Sequence, residues 1–182
     1  PGIYQARGQL ACMVIAKRER PYVFSPEQAE QLAQDGALLV AEKPGAQPVL
    51  LIATGSYQLA EMQRAAVRLS EAGCAWRLVY LQEPGRFREP RDHWEAAGMT
   101  AAERVEQLFP AACSRRVLLT HMRPEVARGH LWPLLGEGRQ SRVLGYRNRG
   151  GTLDEPGMLF ANQASWGHVL EVAAGLLDKP LG

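Results

Sequence analysis

The sequence predicts an α/β protein in three layers, α/β/α, with helices on both faces of a mostly parallel, five-stranded sheet. Val49–Thr54 is an almost purely apolar run with the length of a buried parallel strand. A Gly55-Ser56 turn follows, and an amphipathic segment continues to about Gly73, so the strand leads directly into a helix. Strands and helices then alternate to the C-terminal end, which is typical of a right-handed parallel sheet.

The elements before this strand are short and have clear ends. Ser25 is a good N-cap residue and Pro26 suits the first helical position, so a helix begins there. Asp35-Gly36 ends this helix, and Ala37–Val40 is a brief apolar strand. The first helix and strand therefore precede the long apolar strand as a compact pair.

The middle of the chain contains the best-defined helix and the least regular loop. Ser56–Ala72 is the helix, and its apolar residues fall on one face. These residues are Leu59, Met62, Ala66 and Leu69. Cys74–Leu81 is the next strand, and Gln82–Thr100 is a loop rich in proline and charge with a short helical turn near Trp94.

The last part of the chain completes the alternation. Thr100 followed by Glu103 forms a capping box and predicts a helix start. In chain order the remaining elements are the helix Thr100–Leu108, the strand Arg116–Thr120, the helix Glu125–Leu135 broken by Pro133, the strand Arg142–Gly145, the glycine-rich segment Arg149–Gly157 and the helix Ser165–Leu177. Together with the earlier segments this gives five strands.

The chain divides into two parts at a turn-rich connector. Leu10–Ala16 is a short apolar run that ends in a charged cluster and Pro21, which suits a strand that leaves one body and becomes a linker. Lys43–Pro48 is the connector. We therefore predict that residues 1–47 are the end of a preceding domain plus a linker helix and strand, and that residues 48–182 are the α/β domain. Because the sequence starts at Pro1, we expect an excised segment of a longer protein.

Composition excludes several functional classes. Of the 182 residues 46% are hydrophobic and 22% are charged, values typical of a globular protein. The formal net charge of +2 is small and the arginines are scattered, so we expect no nucleic-acid partner. No apolar run approaches the roughly 20 residues of a membrane span. The three cysteines, Cys12, Cys74 and Cys113, are odd in number and widely spaced, which favours reduced thiols and a cytoplasmic location.

The Gly55-Ser56 turn is the first candidate site. It places backbone N–H groups at a helix start on the carboxyl edge of a sheet, where anions and ligands bind. A tight turn with a structural serine explains the same residues. The turn matches neither GxGxxG nor GxxxxGK[ST], so the sequence gives no support for nucleotide binding there.

His121 follows the predicted strand Arg116–Thr120 and is the second candidate. α/β enzymes commonly place functional groups at this position. A catalytic triad of Ser56, His121 and Asp92 is conceivable, but GSYQ lacks the G-x-S-x-G nucleophile elbow. No two histidines have the spacing of metal ligands, so we expect no metal site.

Three basic residues complete the candidates. Arg147 and Arg149, in GYRNRGG, can hold a phosphate or carboxylate by bidentate contacts or form salt bridges at a subunit interface. Lys17 ends the strand Leu10–Ala16 before a proline-containing linker, where its ammonium suits a phosphate oxygen, or is an ordinary solvated lysine.

Three stretches together resemble a known family. ATGSYQLAEMQRAAVRLSEAG followed by CAWRLVYLQE resembles the first strand, helix and strand of the C-terminal domain of transketolase-like, thiamine-diphosphate-dependent enzymes. This group includes transketolases, phosphoketolases and the E1 components of 2-oxoacid dehydrogenases. LACMVIAKRERPYVFSPEQAEQLAQDGALLV is similar to the exit from the preceding pyrimidine-binding domain, closest to phosphoketolases and homodimeric E1 enzymes. GYRNRGGTLDEPGMLFANQASWGHVLEVAAGLL resembles the closing strand, turn and final helix.

The resemblance implies a supporting role in a larger enzyme. In these enzymes other domains hold thiamine diphosphate and a divalent metal through a GDG-to-Asn motif and supply the activating glutamate; this sequence has no GDG. The implied role is dimer contact and closure of the substrate channel, without catalysis or cofactor binding by this chain alone. The implied partners are the N-terminal and pyrimidine-binding domains or subunit, in a homo-oligomer. Lys17 matches by position a lysine that phosphoketolase-like enzymes direct at the substrate phosphate, although Ala16 stands where a glycine is common.

Two other functions stay open. One is a standalone anion-binding regulatory module that uses Gly55, Ser56, Arg147 and Arg149. The other is a standalone hydrolase or transferase of the same α/β class. The sequence alone therefore does not decide whether this chain is itself an enzyme.

Overall fold

The sheet has five strands in the computed structural model, which describes residues 19, 21 and 23–181. The strands are β1 (Ala37–Lys43), β2 (Val49–Thr54), β3 (Trp76–Leu81), β4 (Arg115–Thr120) and β5 (Gln140–Leu144). The helices are α1 (Pro26–Asp35), α2 (Ser56–Glu71), α3 (His93–Ala96), α4 (Ala102–Leu108), α5 (Pro124–His130), α6 (Trp132–Leu135), α7 (Glu155–Ala161) and α8 (Trp166–Leu177). The predicted strand Leu10–Ala16 and the candidate Lys17 lie outside the described residues.

The strand order is β1-β3-β2-β4-β5, and all pairs are parallel except β1 with β3. The predicted fold class, α/β with a mostly parallel five-stranded sheet, is therefore confirmed. β2 occupies the centre and every one of its residues is buried, as its apolar sequence predicts. β1 pairs with β3 from Ala37 opposite Leu81 to Lys43 opposite Trp76, so it belongs to the same sheet. The division between residues 47 and 48 stays a prediction. A boundary there would separate the paired strands β1 and β3.

The two faces of the sheet bury two separate cores because successive side chains of a strand point to opposite sides. Val49, Leu51 and Ala53 of β2 pack against α2 and α8. Leu50 and Ile52 pack against the opposite layer, which α4, α5 and α6 form. The predicted inner face of α2 is confirmed, since its four apolar residues are all in the first core. This arrangement produces the three layers.

Local signals explain where several helices begin and end. Ser25 caps α1, and its side chain accepts a hydrogen bond from the Gln28 backbone while the Gln28 side chain accepts from the Ser25 N–H. Gly36 ends α1 in the left-handed conformation, with φ of 75°. The helical turn expected near Trp94 is α3, which Asp92 caps.

Three sequence predictions are corrected. Thr100 does not cap a helix: its hydroxyl donates to the Asp35 carbonyl, 2.9 Å away, and α4 begins at Ala102. The predicted helix Glu125–Leu135 is broken at Leu131, and Pro133 lies in the first turn of α6, where a proline is tolerated.

The third correction concerns the glycine-rich segment Arg149–Gly157. Its last residues belong to a helix that was not predicted: α7 begins at Glu155, where Asp154 supplies the N-cap and Pro156 lies in the first turn. Cys74, predicted within a strand, lies just before β3. Cys74 and Cys113 are buried free thiols. Among the described residues no helix is both long and apolar enough to cross a membrane.

Candidate functional site

The carboxyl ends of β2 and β4 define a candidate site. The two strands are adjacent and end together, with Thr54 opposite Thr120. The helix after β2 packs on one face of the sheet and the helix after β4 packs on the other. This divergence is a topological switch point, and in open α/β sheets ligands bind in the crevice that it creates. The sequence candidates Gly55, Ser56 and His121 lie in the two connections that leave these strands.

The Gly55 turn and His121 contact each other at this point. His121 Nδ1 lies 3.2 Å from the Thr54 carbonyl oxygen. Because a carbonyl only accepts hydrogen bonds, Nδ1 carries the proton in this contact, and Nε2 of the neutral ring remains an acceptor. Gly55 has φ of 108°, and a Cβ there would overlap Gln58 Oε1 and come within 3.3 Å of His121 Nδ1. The turn therefore requires glycine for both its backbone conformation and its close contacts.

The catalytic triad of Ser56, His121 and Asp92 does not form. His121 Nδ1 is bonded to Thr54, and Asp92 Oδ1 accepts from the Glu95 N–H at 2.9 Å as the cap of α3. In the described part of the chain no hydrogen bond joins Ser56 to His121. A nucleophile without a base cannot be activated in the manner of a serine hydrolase. The hydrolase hypothesis therefore loses the residues on which it rested.

Arg147 and Arg149 lie in the connection after β5, and a buried asparagine fixes their backbone. Asn162, 2% exposed, accepts hydrogen bonds at Oδ1 from the backbone N–H groups of Arg147 (2.8 Å) and Arg149 (3.1 Å). Its Nδ2 donates to the carbonyls of Arg149 (3.0 Å) and Met158 (2.8 Å). All four hydrogen-bonding positions of this amide are thus used. Asn148, between the arginines, has φ of 58°.

The connections after β4 and β5 are held against each other. The Tyr146 N–H donates to the Met122 carbonyl at 3.0 Å, and a Cβ at Gly145 would overlap that same oxygen. His121 and Arg147 are each one residue away from this link. The structure therefore brings the Gly55 turn and His121 together directly, with Ser56 next along the chain, and connects Arg147 and Arg149 to them through the backbone.

The electrostatics of this edge favour an anion. The guanidiniums of Arg147 and Arg149 are exposed; Arg147 donates to Gln163 Oε1 at 2.9 Å, and neither pairs with a carboxylate of the described residues. The 16-residue helix α2 begins here with no side-chain cap, so its positive dipole end faces the same edge. The arrangement can bind a phosphate or carboxylate oxygen.

Two buried polar residues with structural roles carry no sequence motif. Asn162 carries no motif, because its role depends on the loop that it anchors. Glu61 is 4% exposed, and its Oε2 accepts from the Trp166 N–H at the start of α8 at 2.7 Å. The sequence signal for Glu61 was its position, a carboxylate beside the apolar stripe of α2. No group of three potential metal ligands is present among the described residues.

These features define a doubly wound α/β fold with exposed arginines at its carboxyl edge. Solved transketolases share the fold: the enzyme from Leishmania mexicana has a TM-score of 0.58 at 15% sequence identity over 81% of this chain. Two Pichia stipitis transketolase structures, a point mutant and a complex with sedoheptulose 7-phosphate, each have a TM-score of 0.56 at 16% identity over 81%. This chain spans 19% of the length of each of these enzymes. No protein-family model and no curated protein matches the sequence. The chain therefore has a transketolase-like fold.

Proposed function

We propose that this chain is the C-terminal, non-cofactor-binding domain of a thiamine-diphosphate-dependent, transketolase-like enzyme. The observation that carries the proposal is the shared fold, which spans 19% of the transketolase from Leishmania mexicana. The parent enzyme would be a ketol transferase, a phosphoketolase or a 2-oxoacid dehydrogenase E1. Thiamine diphosphate and its metal supply the carbanion chemistry in such an enzyme and would be held by its other domains.

The role of this domain would be to help close the substrate channel with its carboxyl edge. Arg147 and Arg149 would hold an anionic group of the substrate, since their backbone is fixed and their side chains are unpaired with carboxylates of the described residues. His121 Nε2 would accept a hydrogen bond from a substrate hydroxyl, because Nδ1 is bonded to Thr54. A fixed loop backbone reduces the entropy that the loop loses when the substrate binds.

Docking of the other domains, and dimerisation, would use apolar surface next to this edge. Three of the large apolar side chains that the protein exposes belong to the segment 146–161, namely Tyr146 (40% exposed), Leu153 (49%) and Phe160 (69%). Exposed apolar side chains of this size are common at contact surfaces. Sedimentation analysis of the parent enzyme would test this role: replacing Leu153 and Phe160 by serine should weaken the homodimer. An unchanged dimer would refute a role of these residues in dimerisation.

Kinetics of the full-length gene product test the substrate role. With sedoheptulose 7-phosphate as ketol donor, Arg147→Gln and Arg149→Gln should each raise KM about tenfold and change kcat little, because each removes a charge-assisted contact made in both ground and transition state. Arg68→Gln is the matched control, since Arg68 contacts the exposed Glu71 carboxylate and the Trp166 ring rather than the loop that holds Arg147 and Arg149. Equal KM values for all three variants would refute the role of the two arginines.

A standalone anion-binding module is the second candidate. The unpaired guanidiniums of the Asn162-anchored loop favour it, because they need no further domain to be in place. Calorimetric titration of the 182-residue chain with inorganic phosphate separates the two functions. Saturable heat that disappears in Arg149→Gln supports the module. A titration without saturable heat means that this edge binds anions only when other domains are present.

A further inference from the structure

A cavity lies at the opposite end of the sheet from the candidate site. It has a volume of about 570 Å³ and is bordered by the start of β5, the end of α6 and the end of α8. Strand β5 is an edge strand, so one side of it has no neighbouring strand within the described part of the chain. The cavity is large enough for a small organic ligand.

Positive charge dominates the wall of this cavity. Arg128, Arg139 and Arg142 line it, against one carboxylate, Glu137. None of the three arginines forms an ion pair with another described residue; Arg139 and Arg142 donate only to the main-chain carbonyls of Glu137 (3.3 Å) and Ser141 (3.2 Å). Unpaired guanidiniums in a concave wall attract multiply charged anions.

A buried cation beneath the cavity adds to this charge. Arg116 is fully buried, and burial together with the neighbouring Arg139 guanidinium lowers its pKa to about 10. Arg116 itself is bonded to main-chain carbonyls and not to a carboxylate. The positive charge of Arg139 therefore lies beside that of Arg116, and an anion in the cavity would offset the repulsion between them.

Two polar atoms of the cavity wall also lack partners. Ser141 is 5% exposed and its hydroxyl makes no hydrogen bond within the described residues, and the same is true of Arg139 Nε. Buried polar groups are normally paired, so each such atom needs an explanation. A serine hydroxyl turns about one bond and can reach a ligand oxygen at the cavity wall.

Trp132 provides a fixed aromatic surface at the same cavity. Trp132 is 51% exposed, and its ring packs on Gly136, where a Cβ would lie 2.6 Å from ring atom Cε2. Glycine at position 136 thus allows the ring to approach the backbone closely while Trp132 also lines the cavity. A planar ring of a ligand can stack on such a surface.

We propose that this cavity binds a nucleoside polyphosphate, with the phosphates held by Arg128, Arg139 and Arg142 and the base stacked on Trp132. Three unpaired guanidiniums alone would suit a plain phosphate. The open indole adds a contact that only a ligand with a planar ring can use. The site is independent of the carboxyl edge, which lies at the other end of the strands.

Calorimetry of the 182-residue chain with ATP at low salt tests the proposal, with tripolyphosphate and adenosine as separate ligands. ATP should bind more tightly than tripolyphosphate, and adenosine alone should bind weakest. Arg142→Gln and Arg128→Gln should each reduce ATP affinity about tenfold, because each removes a charge-assisted contact. Trp132→Ala should weaken ATP binding several-fold and leave tripolyphosphate unchanged.

Arg123→Gln is the matched control, because it removes the same charge from an exposed residue at the start of α5 that does not line the cavity. ATP binding that survives Arg123→Gln and falls in Arg142→Gln supports the cavity. Absence of ATP binding, its loss only in Arg149→Gln, or equal binding of ATP and tripolyphosphate would overturn the proposal. So would a single-stranded oligonucleotide that binds the cavity more tightly than ATP. Since Arg128 and Arg142 are exposed, these variants should fold normally, which circular dichroism checks.

Discussion

Asn162→Ala is the substitution that most directly tests how the candidate site is held. Asn162 makes four hydrogen bonds, two to N–H groups of the arginine loop and two to carbonyls. Each such bond contributes ~1 kcal/mol net, so their loss sets an upper value of about 4 kcal/mol. The loop is exposed and water can replace some of these partners, which lowers the expected loss of unfolding free energy to ~2–4 kcal/mol.

Urea denaturation followed by circular dichroism measures this loss, and hydrogen exchange locates it. The Arg147 and Arg149 amides should lose protection in Asn162→Ala, because their acceptor is gone. Asn162→Asp keeps both acceptor contacts and removes both donors, so it should lose stability while those two amides stay protected. Gln34→Ala removes an exposed amide on α1 and is the control.

An Asn162→Ala protein that unfolds at the same urea concentration as Gln34→Ala and retains protection at both arginine amides would contradict this role of Asn162. In that case the loop would be positioned by its link to Met122 and not by the buried amide. The position of the loop backbone that carries the two arginines would then need a different structural basis.

Three further predictions concern the turn, the buried arginine and the charged loop. Gly55→Ala should destabilise the protein by ~1–3 kcal/mol, because the left-handed backbone and the contacts with Gln58 and His121 both oppose a side chain, whereas Gly85→Ala, at an open position, should have little effect in the same thermal melt. Arg116→Met should lower the free energy of unfolding by about 3 kcal/mol or more, since it leaves the carbonyls of Phe109, Pro110, Cys113 and Leu134 without their shared donor; an equally stable variant in urea would disprove this. Arg88 and Arg91 hold the pKa of Glu95 well below its usual range, so this pair stabilises the protein above about pH 4.3 and the contribution is lost as pH falls below that value. Glu95→Gln should therefore lower the melting temperature at pH 7 and reduce its further fall in acid, and parallel pH profiles for the two proteins would contradict the assignment.

The regular part of the fold could be predicted from sequence because its signals are local. β2 is apolar at nearly every position and α2 has a clean apolar stripe, so burial and helix face followed directly. One error occurred where a tertiary contact replaces a local one. Thr100 has the sequence of a cap, yet its hydroxyl bonds to Asp35, 65 positions away along the chain.

The candidate site was predictable only in part. Gly55 and His121 lie at strand ends, and a parallel sheet brings such ends together, so their proximity follows from topology. Asn162 was not predictable. It follows the end of α7, and nothing in the sequence indicates that its amide anchors a loop 13 positions earlier. The tautomer of His121 was likewise inaccessible, since it depends on which carbonyl the ring meets.

If this chain is part of a transketolase-like enzyme, the neighbouring coding sequence should encode the other domains of that enzyme. The most direct measurement is to sequence the DNA upstream of the Pro1 codon. The account predicts an open reading frame that contains a GDG segment and a pyrimidine-binding domain with an activating glutamate, either in frame or as an adjacent gene. A start codon close to Pro1 with no such gene beside it would contradict the account and favour the standalone anion-binding module.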